Sequence, residues 1–81
     1  MNVEVKLFAA AREMAGAEAV QVSVSSPATI GTVRAAMCRE HPGMAALIKA
    51  SLFALDAHYS GDDAEIAEGA EVACIPPVSG G

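Results

Sequence analysis

The sequence predicts an α+β domain, a mixed sheet with one main helix packed on one face and one or two short helices besides. Three observations lead there. Apolar and polar residues alternate near both ends of the chain, at Val3-Glu4-Val5-Lys6-Leu7, at Val20-Gln21-Val22-Ser23-Val24 and again over Val72 to Ile75, which is the period of strands with one buried face. A single longer stretch after Thr29 places Ile30, Val33 and Met37 at helical spacing. The whole chain has 81 residues, room for one core and no second domain.

In chain order, residues 3–8 form a first strand that buries Val3, Val5 and Leu7, and its parity puts Phe8 on the polar face. Residues 9–15 are Ala-rich and read as a short helix with Gly16 at its C-terminal cap. Residues 19–25 return as a second strand and pair with the first. Ser26-Pro27-Ala28-Thr29 ends that strand, and Thr29 is a good N-cap for the main helix, whose apolar stripe leaves Arg34, Arg39 and Glu40 on the other side. His41-Pro42-Gly43 stops it near residue 41, and a further short turn over 44–49 brings Met44, Leu47 and Ile48 to the core. Leu52 to Leu55 is a strand with Phe53 and Leu55 inward. A turn at 56–58 leads to a small edge strand at Tyr59, and a polar loop at 60–63 follows. Ile66 is a core contact, 67–70 a tight turn, and 71–75 the last strand, with Val72 and Cys74 inward and Ala73 and Ile75 outward. Strand, strand, helix, strand, short strand, strand is the β-grasp order. In that fold the first and last strands lie parallel in the middle of the sheet, so Phe8 is expected beside Ile75 on the open face.

Composition narrows the functions. The net charge is −5, which argues against nucleic acid and against an anionic membrane surface and favours a basic partner. There is no Trp, and only Phe8, Phe53 and Tyr59 are aromatic, too few for a base-stacking platform. No apolar run approaches the ~18 residues of a membrane helix, and Met1-Asn2-Val3-Glu4-Val5-Lys6 lacks the pattern of an export signal. A cytoplasmic protein with two reduced thiols, Cys38 and Cys74, is the expectation. Cys38, His41, His58 and Cys74 each stand singly rather than in paired ligand knuckles, so no metal site is expected. Asp62, Asp63, Glu65, Glu68 and Glu71 lack a calcium-loop spacing and read as a solvated acidic face.

The end of the chain concentrates the remaining signal. Cys74-Ile75-Pro76-Pro77-Val78-Ser79-Gly80-Gly81 runs from an apolar strand through a stiff diproline into two glycines. The prolines end the ladder and start an extended lead. Residues 76–81 can reach on the order of 20 Å at ~3.3–3.6 Å per residue. Gly80 and Gly81 have no Cβ, so they fit a channel too narrow for other residues and leave the terminal carbonyl open to attack. The chain therefore divides into a β-grasp domain at 1–75 and an extended Gly-Gly tail at 76–81. Phe8 and Ile75, joined by Tyr59, form a candidate partner interface beside the tail's root.

With Leu7-Phe8-Ala9, Arg12-Glu13, Gly16, Gly69-Ala70-Glu71-Val72-Ala73 and Ile75-Pro76-Pro77-Val78-Ser79-Gly80-Gly81 taken together, the chain resembles, end to end, the MoaD family of ubiquitin-like sulfur carriers, the small subunits of molybdopterin synthase. The resemblance implies that an E1-like adenylating enzyme activates the Gly81 carboxylate with ATP and that a sulfur donor displaces AMP to leave a thiocarboxylate. It further implies a synthase large subunit, in a heterotetramer of two small and two large subunits. That subunit takes Pro76, Pro77, Val78, Ser79 and Gly80 into its active site and binds the face near Phe8, Tyr59 and Ile75. Two such sulfurs convert cyclic pyranopterin monophosphate into the dithiolene of molybdopterin. The chain is then the sulfur-donating subunit of a sulfurtransferase complex, with Gly81 its reacting group and no bound cofactor of its own. Asp56 departs from the Asn common in relatives. A thiamine-type sulfur carrier, a ubiquitin-like modifier joined to other proteins through Gly81, and a binding module with a passive tail are the alternatives.

Overall fold

Alternation at the start of the chain becomes β1 (Asn2–Leu7), which buries Val3, Val5 and Leu7 and exposes Asn2, Glu4 and Lys6. The computed structural model describes residues 1–77. After β1 come α1 (Ala9–Ala15), β2 (Ala19–Ser23), β3 (Ala28–Thr29) and α2 (Ile30–Glu40). A 3₁₀ turn (Pro42–Met44), α3 (Ala45–Ala50), β4 (Leu52–Leu55), β5 (His58–Ser60), β6 (Glu65–Ile66) and β7 (Val72–Ile75) follow. The five-stranded sheet has the order β2-β1-β7-β4-β5, and β3 pairs with β6 in a separate two-stranded ribbon. β1 and β7 run parallel in the middle of the sheet, with Val5 opposite Val72 and Leu7 opposite Cys74. β1 and β2 are antiparallel, as are β7 and β4 and the β4–β5 hairpin. This mixed sheet with its helices is the ubiquitin-like β-grasp fold that the element order predicts.

Local chemistry sets the boundaries. Gly16 ends α1 in the left-handed conformation, φ 66°, and its N–H donates to the Arg12 carbonyl, a cap that costs glycine nothing sterically. At the start of α2, the Thr32 N–H donates to Thr29 Oγ1 (3.2 Å) and the Thr29 N–H donates back to Thr32 Oγ1 (3.4 Å), a capping box with Thr in the place usually taken by Glu or Gln. His41 closes α2, and its N–H donates to the Met37 carbonyl at 2.8 Å.

The core lies between the inner face of the sheet and α2. Val5, Val22, Ile30, Val33, Met37, Ile48, Phe53, Val72 and Cys74 are fully buried in it. Met44 and Ile48 reach the core as expected, and Leu47 packs half-buried against it. Three details differ from the sequence reading. Ala28–Thr29 pairs with Glu65–Ile66, strands of two residues that are too short to show any period. Leu55 is half-buried at the core's edge while Ala54, on the opposite face, is buried, because its small side chain lies between Tyr59 and Ala73 across the strands. Arg34, read as lying away from the apolar stripe, folds back under α3. Its Nη1 donates to the carbonyls of Ile48 (2.9 Å), Lys49 (3.2 Å) and Ser51 (2.8 Å). Its Nε donates to Asp62 Oδ1 (3.0 Å), and its guanidinium stacks over the Phe53 ring at 4.6 Å.

Candidate functional site

The outward parity of four neighbouring strands builds the site. On the open face, away from α2, the register carries two cross-strand rows. Lys6, Ala73, Ala54 and Tyr59 make one of them. In the next, Leu52 stands opposite Ile75, and Phe8 continues the parallel ladder beside Ile75, its N–H donating to the Cys74 carbonyl at 3.3 Å. Phe8 keeps an extended backbone (φ −126°, ψ 156°) as the residue that enters α1, so its ring stays on the outward side. Phe8 is 46% exposed, Leu52 59% and Tyr59 69%, and Ile75 is half-buried between its neighbours. Phe8 and Ile75 are thus brought together at the end of the sheet from which the tail leaves, while Tyr59 stands one row back on β5, across β4 from Ile75.

Leu52 belongs to the same row and was not among the sequence candidates. Its outward direction was readable from the parity of Phe53, but its place beside Ile75 depends on which strand borders β7, which the alternation does not encode.

At the tail's root Pro76 is buried and Pro77 exposed, so among the described residues the chain leaves the surface at the second proline. Val78, Ser79, Gly80 and Gly81, all expected to belong to the tail site, lie outside the described residues.

The far end of the open face is polar. Glu4 accepts from Gln21 Nε2 (3.1 Å), Lys6 Nζ pairs with Glu71 at 3.3 Å, and the Glu71 N–H donates to Asp56 Oδ1 (3.0 Å). The cysteines and histidines stand apart from this face. Cys74 is a core thiol on the inner side of β7 and Cys38 a half-buried one on α2. Burial pushes the Cys74 thiol up from its ordinary value of 9.0, opposed by a hydrogen bond with Ser51 and the positive charge of Arg34. His58 is exposed on β5, where Nδ1 meets the Asp56 carbonyl at 2.9 Å. Among the described residues no three His, Cys, Asp or Glu side chains converge as a metal site would need, and no helix is long and apolar enough to cross a membrane.

Comparison with known proteins gives this geometry a lineage. The chain is 34% identical, over the full length of both chains, to the molybdopterin synthase sulfur carrier subunit of Chlamydomonas reinhardtii. It is 36% identical to small archaeal modifier protein 1 of Haloferax volcanii, over 98% of this chain and all of that one. A crystal structure of that modifier superposes with a TM-score of 0.85 at 30% identity, covering both chains completely. The model of the ThiS family matches residues 5–81, and the chain belongs to this family.

Proposed function

We propose that this protein is the sulfur carrier subunit of a molybdopterin synthase. The full-length identity to a relative bearing that name carries the reading. The Gly-Gly terminus of the sequence and the exposed Phe8–Ile75–Leu52 row at the tail's root support it. In this mechanism an E1-like enzyme docks on the open face and transfers AMP from ATP to the Gly81 carboxylate, releasing pyrophosphate. A sulfur nucleophile then attacks the activated carbonyl, the C–O bond to AMP breaks, and a thiocarboxylate remains. The carrier next docks on the synthase large subunit, two carriers to two large subunits; its sulfur bonds to a carbon of cyclic pyranopterin monophosphate, water then breaks the acyl C–S bond, and Gly81 leaves as the carboxylate. The fold supplies no catalytic side chain to these steps. It supplies a rigid root, with Pro76 seated against the domain and Pro77 directing the chain outward, and an apolar face on which both partners are recognised.

The test is intact mass. Incubation with the adenylating enzyme, ATP and a sulfur donor should raise the mass by one oxygen-to-sulfur exchange, localised to the C-terminal peptide. An unchanged mass with an enzyme that loads another carrier in parallel excludes the proposal.

One observation favours a second reading. Similarity to small archaeal modifier protein 1 is as strong as to the carrier subunit, at 36% identity. A modifier would form isopeptide adducts through Gly81 that disappear when Gly81 is deleted. Both readings share the adenylate, and the product formed from it decides between them.

A further inference from the structure

The open face of the sheet is divided in charge as well as in polarity, and the division runs along the strands. At the tail end stand Phe8, Ile75 and Leu52. Four residues back along β1, about 13 Å at ~3.3 Å per residue, stands Glu4, lining one hollow with Glu71, and Glu71 in turn donates its N–H to Asp56 across the next strand. Three carboxylates here face one cation, Lys6, which is already paired with Glu71; three negative charges less one positive leave two negative charges in surplus. The Lys6–Glu71 pair is about half exposed on both sides and holds its members only weakly.

We infer that this face docks a protein surface with two parts, an apolar socket over Phe8, Ile75 and Leu52 and a Lys/Arg rim that meets Glu4, Asp56 and Glu71 about 13 Å away. The inference rests on the docking reading above and adds to it the partner's chemistry and its orientation. An apolar patch alone permits a partner to sit in several rotations about the patch centre. A carboxylate surplus on one side only removes that freedom, because every other rotation leaves the partner's cations unmatched and these carboxylates beneath neutral or acidic surface. The tail root lies at the opposite, apolar end, so the carboxylates fix the direction in which the partner must hold its channel for the tail to enter. A second copy of this chain is a poor occupant, since the face offers no cationic surplus to meet the same carboxylates.

The division of labour makes the test specific. Charge at the rim acts mainly on the association rate and its salt dependence, and apolar anchors act on the dissociation rate. The probe is the purified synthase large subunit from the same genome, with association kinetics measured at low and moderate salt. Glu4→Gln combined with Glu71→Gln should slow association roughly three- to tenfold and flatten the salt dependence, with dissociation unchanged. Leu52→Ala should speed dissociation and leave the salt dependence alone. Asp63→Asn combined with Glu68→Gln removes as much negative charge from exposed turns off this sheet face and should do less than either. Equal effects of the two charge pairs, failure of the unmodified chain to bind, or self-association through this face at micromolar concentration would each overturn the inference. Sulfur loading measured on the same preparations keeps the two claims separate. A chain that loads sulfur but ignores Glu4 and Glu71 overturns only this inference, and one that binds with the expected salt dependence yet never loads overturns only the carrier function.

Discussion

Ala57 shows how much a single backbone position can cost. The β4–β5 hairpin closes with a two-residue turn, Asp56-Ala57, between Leu55 and its partner His58. Both turn residues have left-handed φ, 48° and 68°, as turns of this hand require. Asp56 repays the strain by cross-linking. Its N–H donates to the Glu71 carbonyl (2.8 Å) and its Oδ1 accepts from the Glu71 N–H (3.0 Å), fastening the turn to the segment that leads into β7. An Asn amide oxygen could accept the same bond, so the Asp at this position leaves the local architecture intact. Ala57 has no such side-chain compensation, and a left-handed L-residue costs roughly 1–2 kcal/mol. Ala57→Gly should therefore stabilise the domain by about 0.5–1 kcal/mol, the gain in the folded state being partly offset by the freer unfolded chain. Urea denaturation should show a higher midpoint at an unchanged slope. A lower midpoint would mean that Ala57 packs against something that outweighs its strain.

Between elements, Arg34 does what its sequence pattern hides. From α2 it reaches the last carbonyls of α3, the Ser51 carbonyl before β4, and Asp62 in the loop before β6, with its side chain 19% exposed. Alternation and helical spacing identify which residues enter a core, and here they located β1, β2, α2, β4 and β7 and the outward placement of Phe8 and Ile75. They identify poorly what a polar residue does once its helix is docked, because a long side chain on the flank of a helix can either enter water or fold under a neighbour. They also miss the two-residue ribbon of β3 and β6, and Leu52's role, both of which depend on which strands become neighbours. The Arg34 geometry has a measurable signature. A lysine ammonium is a single point and cannot serve Asp62 and three carbonyls at once or stack flat on Phe53. Arg34→Lys should destabilise the domain by about 1–2 kcal/mol and Arg34→Ala by about 2–3 kcal/mol, in line with ~1.5–3 kcal/mol for hydrogen bonds to charged groups. Chemical denaturation of the pair checks it, and a lysine variant as stable as the parent would show that charge alone suffices.

At the scale of the molecule, the proposed carrier function would assign folding and chemistry to different parts of the chain. The core cluster draws on residues from Val3 to Cys74, every buried side-chain nitrogen or oxygen among the described residues has a partner, and Ser51, the one buried polar residue among them, donates to the Leu47 carbonyl at 2.7 Å. Nothing in this arrangement requires the Gly-Gly end to complete the core, while the carrier mechanism needs that end for its only reacting atom. The two demands on the last residues also conflict: glycines that pass through a narrow channel cannot contribute side-chain packing to their own domain. Truncation after Pro77 should therefore lower stability by less than about 1 kcal/mol, a Tm shift smaller than ~4–8 °C for a domain of this size. The same truncation should abolish sulfur loading completely and weaken large-subunit binding, leaving the salt dependence that comes from the sheet face. Calorimetry and binding on one preparation measure both. A larger fall in Tm would show that residues 78–81 pack back onto the domain, and the tail would then have to be released from its own fold before a partner could take it.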